Sequence, residues 1–408
     1  MGWVPARSSL SRWAVTVLLG AALGPFLGLL VGPVGALTPE RAESSGPASS
    51  QTTPELAAPA SAIQIPPVGG PARTACAGVL AGMSTRAKLA QRLMVGVGGG
   101  DPVGTARLVR DTQVGGIFVG GTATALLRGR AMDRVQAATR VPLAVAVDDE
   151  GGRVQRIDAL AGNLPSAREM GRLDLGRVEQ LGLDRGRALR AVGITVNFAP
   201  AVDVSAQPDR AVIGDRSFGD DPTQVARAAA AFASGERSAG VFTVLKHFPG
   251  HGHAIGDSHR GQAVTPSLAA LRADDLRPYA ELLGPGGPLA GARTGVMVGH
   301  LSVPGLTDGL PASLTPATYR LLRDEIGFRG VVYTDDLSGM KAVTSEFDLP
   351  AATERALSAG ADVALSTGAG QVSSVLDRLT AALAAGRLDR AANDAAVTRI
   401  LTAKAVCS

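Results

Sequence analysis

The stretch FTVLKH, Phe242–His247, is a β-branched and apolar run that ends on a lysine and a histidine. Gly240 precedes it and Pro249, Gly250 and Gly252 follow, so it reads as a short strand bounded by turn residues. Seven other runs share this build: LMVGV (Leu93–Val97), GGIFVG (Gly115–Gly120), LAVAVD (Leu143–Asp148), ITVNFA (Ile194–Ala199), GVMVGH (Gly295–His300), GVVYTD (Gly330–Asp335) and DVALST (Asp362–Thr367). Longer helical stretches separate them. Asp221 with Pro222 opens one that Gly240 stops, and Thr315 with Pro316 opens another that Gly327 stops. Strands alternating with helices give a parallel sheet, and eight such units predict an α/β fold, a (β/α)8 TIM-type barrel forming a single catalytic domain over residues 76–408. A doubly wound open sheet is the architectural alternative, and it would use fewer strands.

In such a barrel the carboxyl ends of the strands meet on one rim, where the active site is built. Four of the eight runs finish on or beside a polar residue that a packed core would exclude: Asp148, Lys246 with His247, His300, and Asp335. One of these alone would be an ordinary loop-facing residue. Four on one rim point to a site.

The loop after Lys246, KHFPGHGHAIGDSH, holds four of the five histidines in the chain. His251 and His253 with Asp257 and His259 could fill a zinc sphere, but Pro249, Gly250, Gly252 and Gly256 deny them the rigid spacing of zinc ligands. No metal and no cofactor is expected. Ser258 lacks the G-x-S-x-G surroundings of a serine nucleophile. Asp257 and His259, two apart on an extended backbone, point to one face, where the carboxylate would orient the ring and favour its charged form. An imidazole so placed can donate a proton to a leaving oxygen and later take one from water. Asp335, at the end of GVVYTD, is the candidate nucleophile. A carboxylate facing a proton donor is the equipment of retaining glycoside hydrolysis. Asp148 and Arg156 in VDDEGGRVQR, Arg216 in GDRSFG, and Lys246 with His247 supply partners for sugar hydroxyl and acetamido groups. Arg153 is equally placed for a loop ion pair, and His300 reads as a packed residue behind the site.

Composition narrows the classes further. The formal net charge is +4, and Arg7 and Arg12 lie in the N-terminal segment, leaving +2 for the remainder without a Lys/Arg block. A nucleic-acid partner is therefore not expected. Arg7 and Arg12 precede an uncharged, mostly apolar run to Leu37 that ends in Val34-Gly35-Ala36. Residues 1–37 read as an export signal cleaved after Ala36, or as an uncleaved membrane anchor, and both readings place the body outside the cytoplasm. Residues 38–75, rich in Pro, Ser, Thr and Ala, read as a disordered tether. An exported protein can form disulfides, and barrel termini often lie close together, so Cys76 and Cys407 are a candidate pair; two free thiols are the other possibility. Both tryptophans, Trp3 and Trp13, fall in the export segment, which leaves the body without the aromatic platforms of a long polysaccharide cleft.

Taken together, VDDEGGRVQR (Val147–Arg156), NFAPAVDV (Asn197–Val204), GDRSFG (Gly214–Gly219), KHFPGHG…DSH (Lys246–His259) and TDDLSGM (Thr334–Met340) resemble glycoside hydrolase family 3, in its bacterial β-N-acetylglucosaminidase (β-hexosaminidase) branch. The resemblance implies a barrel enzyme that removes terminal β-linked GlcNAc, with Asp335 as nucleophile, Asp257–His259 as acid/base on a flexible loop, and Asp148, Arg156, Arg216, Lys246 and His247 holding the sugar. It also implies no second, flavodoxin-like domain, for which the chain past its eighth strand has no room. TDDLSGM departs from the branch around the paired aspartates, which leaves Asp336 in play beside Asp335. His253 is extra, with no role beyond solvent exposure. In the exported setting, peptidoglycan fragments are the expected source of GlcNAc, acted on by a monomer. A β-glucosidase, a phosphorylase of the same fold, and an inert wall-sugar-binding module are the rivals.

Overall fold

A computed structural model describes residues 71–291 and 293–407. The expected export segment and residues 38–70 of the expected tether lie outside the described residues. The first helix, Pro71–Ala81, begins five residues inside the segment read as a tether. Among the described residues, no helix is long and apolar enough to cross a membrane.

Eight parallel strands close into a barrel: β1 (Leu93–Gly98), β2 (Gly116–Gly120), β3 (Ala144–Val147), β4 (Val196–Asn197), β5 (Phe242–Phe248), β6 (Thr294–Val298), β7 (Val331–Asp336) and β8 (Val363–Ser366). Each pairs with its sequence neighbours, and β8 returns to β1 with Leu93 opposite Ala364. Every predicted run thus contributes a strand. The largest trimming falls on ITVNFA, where Val196 and Asn197 alone carry the regular ladder. The amide of Phe198 still donates to Val147 O, and Ala199 O still accepts from Val244 N. Pro200, which has no N–H, then ends the run.

The interior is a packed core. Phe118, Phe198 and Tyr333 fill its middle, with Phe198 stacked on Phe118 at 5.8 Å and meeting Tyr333 edge-on at 5.5 Å. A second, larger apolar layer lies between the strands and the helices. There the helices Leu175–Ala191 and Pro222–Ser238 run against one another with Gly182 and Gly235 at the crossing. A Cβ at either glycine would overlap backbone of the other helix, so their absent side chains set the approach. Asp221 caps the second of these helices by accepting from the amides of Thr223 and Gln224.

Cys76 and Cys407 form a disulfide with their Cα atoms 5.0 Å apart. It ties the first helix to the residues just past the last one, Arg390–Ala403. On the opposite rim, residues 249–262 form the loop after β5. That loop is pinned where Ile255 and Val264 exchange two backbone hydrogen bonds of 2.8 Å, and where Ala263–Val264 pairs in parallel with Leu301–Ser302.

Candidate active site

A cavity of about 660 Å³ opens at the carboxyl ends of the strands. Asp148, Glu150, Arg156, Arg216, Lys246, His247, His259, Asp335 and Asp336 line it, over Phe118, Met297 and Met340. Of the four strand-end positions and the residues proposed for catalysis or sugar binding, Asp257 and His300 stand behind this lining, Asp257 one contact away through His259.

The two adjacent aspartates of TDDLSGM have different surroundings. Asp336 accepts four hydrogen bonds: from Ser338 N at 2.9 Å, Ser338 Oγ at 2.7 Å, Thr367 N at 2.8 Å and Thr367 Oγ1 at 2.6 Å. Asp335 accepts one, from the amide of Asp336 at 2.8 Å. Its other oxygen has no protein partner among the described residues. Burial works against charge on Asp335, but His300, His247, the Asp336 amide and Lys246 outweigh it and hold the carboxyl below the usual range. The ionised carboxylate with a free oxygen is Asp335. Asp336 ties β7 to β8.

His300 packs behind this pair. It is 1% exposed, with Nδ1 2.7 Å from Ser313 Oγ and Nε2 2.9 Å from Asp336 O. A carbonyl only accepts, so Nε2 carries the proton; burial lowers the ring's pKa against the pull of Asp335.

His259 sits on the pinned loop, its side chain 66% exposed. Asp257 Oδ1 lies 3.0 Å from both the backbone N and Nδ1 of His259. Burial opposes charge on Asp257, yet these two donations pull its pKa down. An ionised Asp257 accepts the hydrogen bond from Nδ1–H, which leaves Nε2 free for the cavity. The loop also reaches the segment after Asp335, with the Ala342 amide donating to Ser258 O at 3.1 Å. The segment that follows the nucleophile's strand and the loop that carries the acid/base candidate are therefore joined by a backbone hydrogen bond.

The sugar-holding candidates form one charge cluster around a residue that the sequence reading passed over, Glu150. Lys246 Nζ lies 2.6 Å from both Asp148 Oδ1 and Glu150 Oε1, and Arg216 grips Glu150 through two hydrogen bonds of 2.7 and 2.8 Å. Burial would raise the pKa of Glu150, but Arg216 and Lys246 hold it far below the carboxylate range. For Lys246 the burial penalty is likewise exceeded by Asp148 and Glu150, and its pKa rises. Arg156 donates one guanidinium hydrogen to Gln155 O at 2.8 Å, while its Nε has no protein partner.

His247 bridges this cluster to a second residue passed over, Asp203. Nδ1 lies 2.7 Å from Asp203 Oδ2, and Nε2 lies 3.3 Å from Arg216 Nη2. The guanidinium can only donate, so Nε2 accepts and Nδ1–H points to Asp203. Asp203 also takes the amides of His247 and His251. Burial opposes its ionisation, but these histidines bring its pKa down to about 2.

The four loop histidines do not converge as zinc ligands would. His251 is buried edge-on to His247 at 5.9 Å, His259 turns to Asp257, and His253 lies 3.0 Å from Asp275. His253 thus has a partner where only solvent was expected. Arg153 takes the loop ion-pair role, bonding Asp215 at 2.6 Å and the carbonyl of Ala211.

The glycosyl hydrolase family 3 N-terminal domain pattern matches residues 84–403. The chain belongs to glycoside hydrolase family 3. Beta-hexosaminidase LpqI of Mycobacterium tuberculosis is 47% identical over 366 residues, covering 88% of this chain and 92% of that protein. The solved structure of M. tuberculosis LpqI superposes with a TM-score of 0.77 at 48% identity, covering 81% of this chain and 96% of that one. A family 3 β-N-acetylglucosaminidase from Paenibacillus sp. superposes at 0.72 with 30% identity, covering 80% and 63%.

In this family 3 enzyme the strand-end acids are held from behind by a buried polar network. Asn197 accepts from Asp149 N at 2.9 Å and donates to Asp149 O at 2.8 Å and Glu236 Oε1 at 2.7 Å. Asp149 Oδ2 accepts the amides of Arg156 and Ile157, and Arg185 lies 3.4 Å from Oδ1. Asp149 is thereby fixed between Asp148 and Glu150, which face the cavity. Burial pushes the pKa of Glu236 well above its ordinary value.

Proposed function

We propose that this family 3 glycoside hydrolase is a retaining exo-β-N-acetylglucosaminidase. It would release terminal β-linked GlcNAc from peptidoglycan-derived glycans through a covalent glycosyl-enzyme intermediate. The observation that carries this reading is the free carboxylate oxygen of Asp335 in the same cavity as His259, whose Nδ1 is held by Asp257. The hexosaminidase names of the relatives support the choice of sugar.

In the first step, Asp335 attacks the anomeric carbon as the bond to the leaving oxygen breaks, and that oxygen takes a proton from Nε2 of a charged His259. In the second, His259 returns to its charged form by removing a proton from water, whose oxygen displaces Asp335 from the same carbon. Two inversions give net retention. The Asp148–Lys246–Glu150–Arg216 cluster presents acceptors and donors in fixed positions for the hydroxyl groups, and Arg156 has donors to spare for an acetamido oxygen. The apolar N-terminal run of residues 1–37 supports an extracytoplasmic setting, secreted or membrane-attached, and a monomer suits an exo-acting pocket.

The test is a comparison of aryl β-GlcNAc with aryl β-glucoside, with and without phosphate, followed by trapping with a fluorinated slow substrate. Turnover of the GlcNAc glycoside in water and a label on the peptide containing Thr334–Leu337 are expected. A label elsewhere, or turnover that requires phosphate, overturns the proposal.

A further inference from the structure

A second cavity, of about 280 Å³, lies at the amino-terminal end of the barrel, away from the catalytic rim. The first residues of the strands, among them Met94, Val196 and Phe242, form its apolar walls. Its charged lining residues are all cationic, Lys404, Arg190 and Arg293, beside the neutral Gln91 and Thr195. Lys404 Nζ donates to Gln91 Oε1 at 2.8 Å and Gly115 O at 2.6 Å, both neutral, which leaves one ammonium hydrogen for another acceptor. Arg190 and Arg293 converge on Gly240, where an added Cβ would stand 3.9 Å from the Nε of one and 3.7 Å from an Nη of the other. None of the three cations makes an ion pair among the described residues. Asp362, at the start of β8, is already gripped by Arg323 at 2.8 Å and Arg399 at 2.6 Å.

Three cations facing one partly apolar hollow, with no acid in its lining among the described residues, are arranged for an anion. Guanidinium groups match the planar fork of a carboxylate, and the walls match a hydrocarbon body. We propose that this cavity binds a small carboxylate with an apolar tail, its head among Lys404, Arg190 and Arg293 and its tail against Met94, Val196 and Phe242. Burial lowers the pKa of Lys404 to about 7, in agreement with an ammonium that lacks its counter-ion.

Calorimetric titration of the full-length protein with octanoate tests the site, with octanol, acetate and inorganic phosphate as probes lacking the head, the tail or the carboxylate. One saturable octanoate site is expected, with each of the other three at least tenfold weaker. Lys404→Met and Arg293→Ala should each weaken octanoate about tenfold; Arg293 is exposed, so its variant keeps the fold. Free GlcNAc at saturation should leave octanoate binding unchanged. Absence of a saturable site, equal binding of octanol or phosphate, full affinity in Arg293→Ala, or displacement by GlcNAc would each overturn the proposal.

Discussion

Asp335 and Asp336 are neighbours in sequence, yet one carboxylate accepts a single hydrogen bond and the other accepts four. The contrast separates chemistry from architecture. Asp335→Asn should lower kcat by about 10⁴-fold or more, with the melting temperature little changed. Asp336→Asn cannot keep all four acceptor contacts and should lower the melting temperature while retaining more activity. Steady-state kinetics and thermal unfolding of both variants check this, and the reverse ranking in kcat would move the nucleophile to Asp336.

The paired aspartates also show how far the sequence could be read. The eight strands were legible because each is a short apolar run between turn residues, and the rim acids and bases were legible because they end those runs. Glu150 and Asp203 were not, although both stand inside quoted motifs, because nothing in one dimension says which of several adjacent polar residues faces inward. Glu236 and Arg185 lie on helices whose apolar periodicity reads as packing, and only the folded chain brings them to Asp149.

His259→Ala should separate substrates by leaving group. An aryl glycoside that departs without protonation should lose little, and an alkyl or sugar leaving group should lose about 10²–10⁴-fold in kcat/KM. A plot of rate against leaving-group pKa checks this. Equal losses across the series would remove His259 as the general acid.

Asp203 predicts part of the acid stability profile. Its folded pKa of about 2 lies below the unfolded value, so its contribution is complete above the unfolded pKa and is lost as pH falls from about 5 toward 2. That contribution is about 2–3 kcal/mol. Urea unfolding across this range should show Asp203→Asn less stable than the wild type at pH 6, with the gap narrowing toward pH 3. A constant gap would show that the carboxylate's ionisation in the fold is not involved.

Reducing the Cys76–Cys407 disulfide should cost about 2–4 kcal/mol of stability and leave kcat unchanged at temperatures where the fold persists. The staple joins the first helix to the segment after the last one, away from the cavity of Asp335, so it constrains the unfolded chain without touching the chemistry. Thermal unfolding and turnover with and without reductant check both halves, and loss of kcat before loss of fold would contradict the separation.

Glu236 gives the opposite pH sign from Asp203. Burial raises its folded pKa well above the unfolded value, so the stability linked to its proton is present below the unfolded pKa and declines as pH rises toward the folded one. Glutamine keeps the carbonyl oxygen that accepts from Asn197 but has no proton to lose. Glu236→Gln should therefore match the wild type near pH 4 and become progressively more stable above it, with kcat/KM preserved because Asn197 still holds Asp149. Glu236→Ala removes the acceptor, leaves the Asn197 amide unpaired in the interior, and frees Asp149 to shift. A displacement of Asp148 and Glu150 by even about 1 Å should lower kcat/KM by about 100-fold. Unfolding curves from pH 4 to 9 and kinetics of the two variants check the argument, and a Glu236→Gln protein that loses stability as pH rises would show that the wild-type residue is held as a carboxylate.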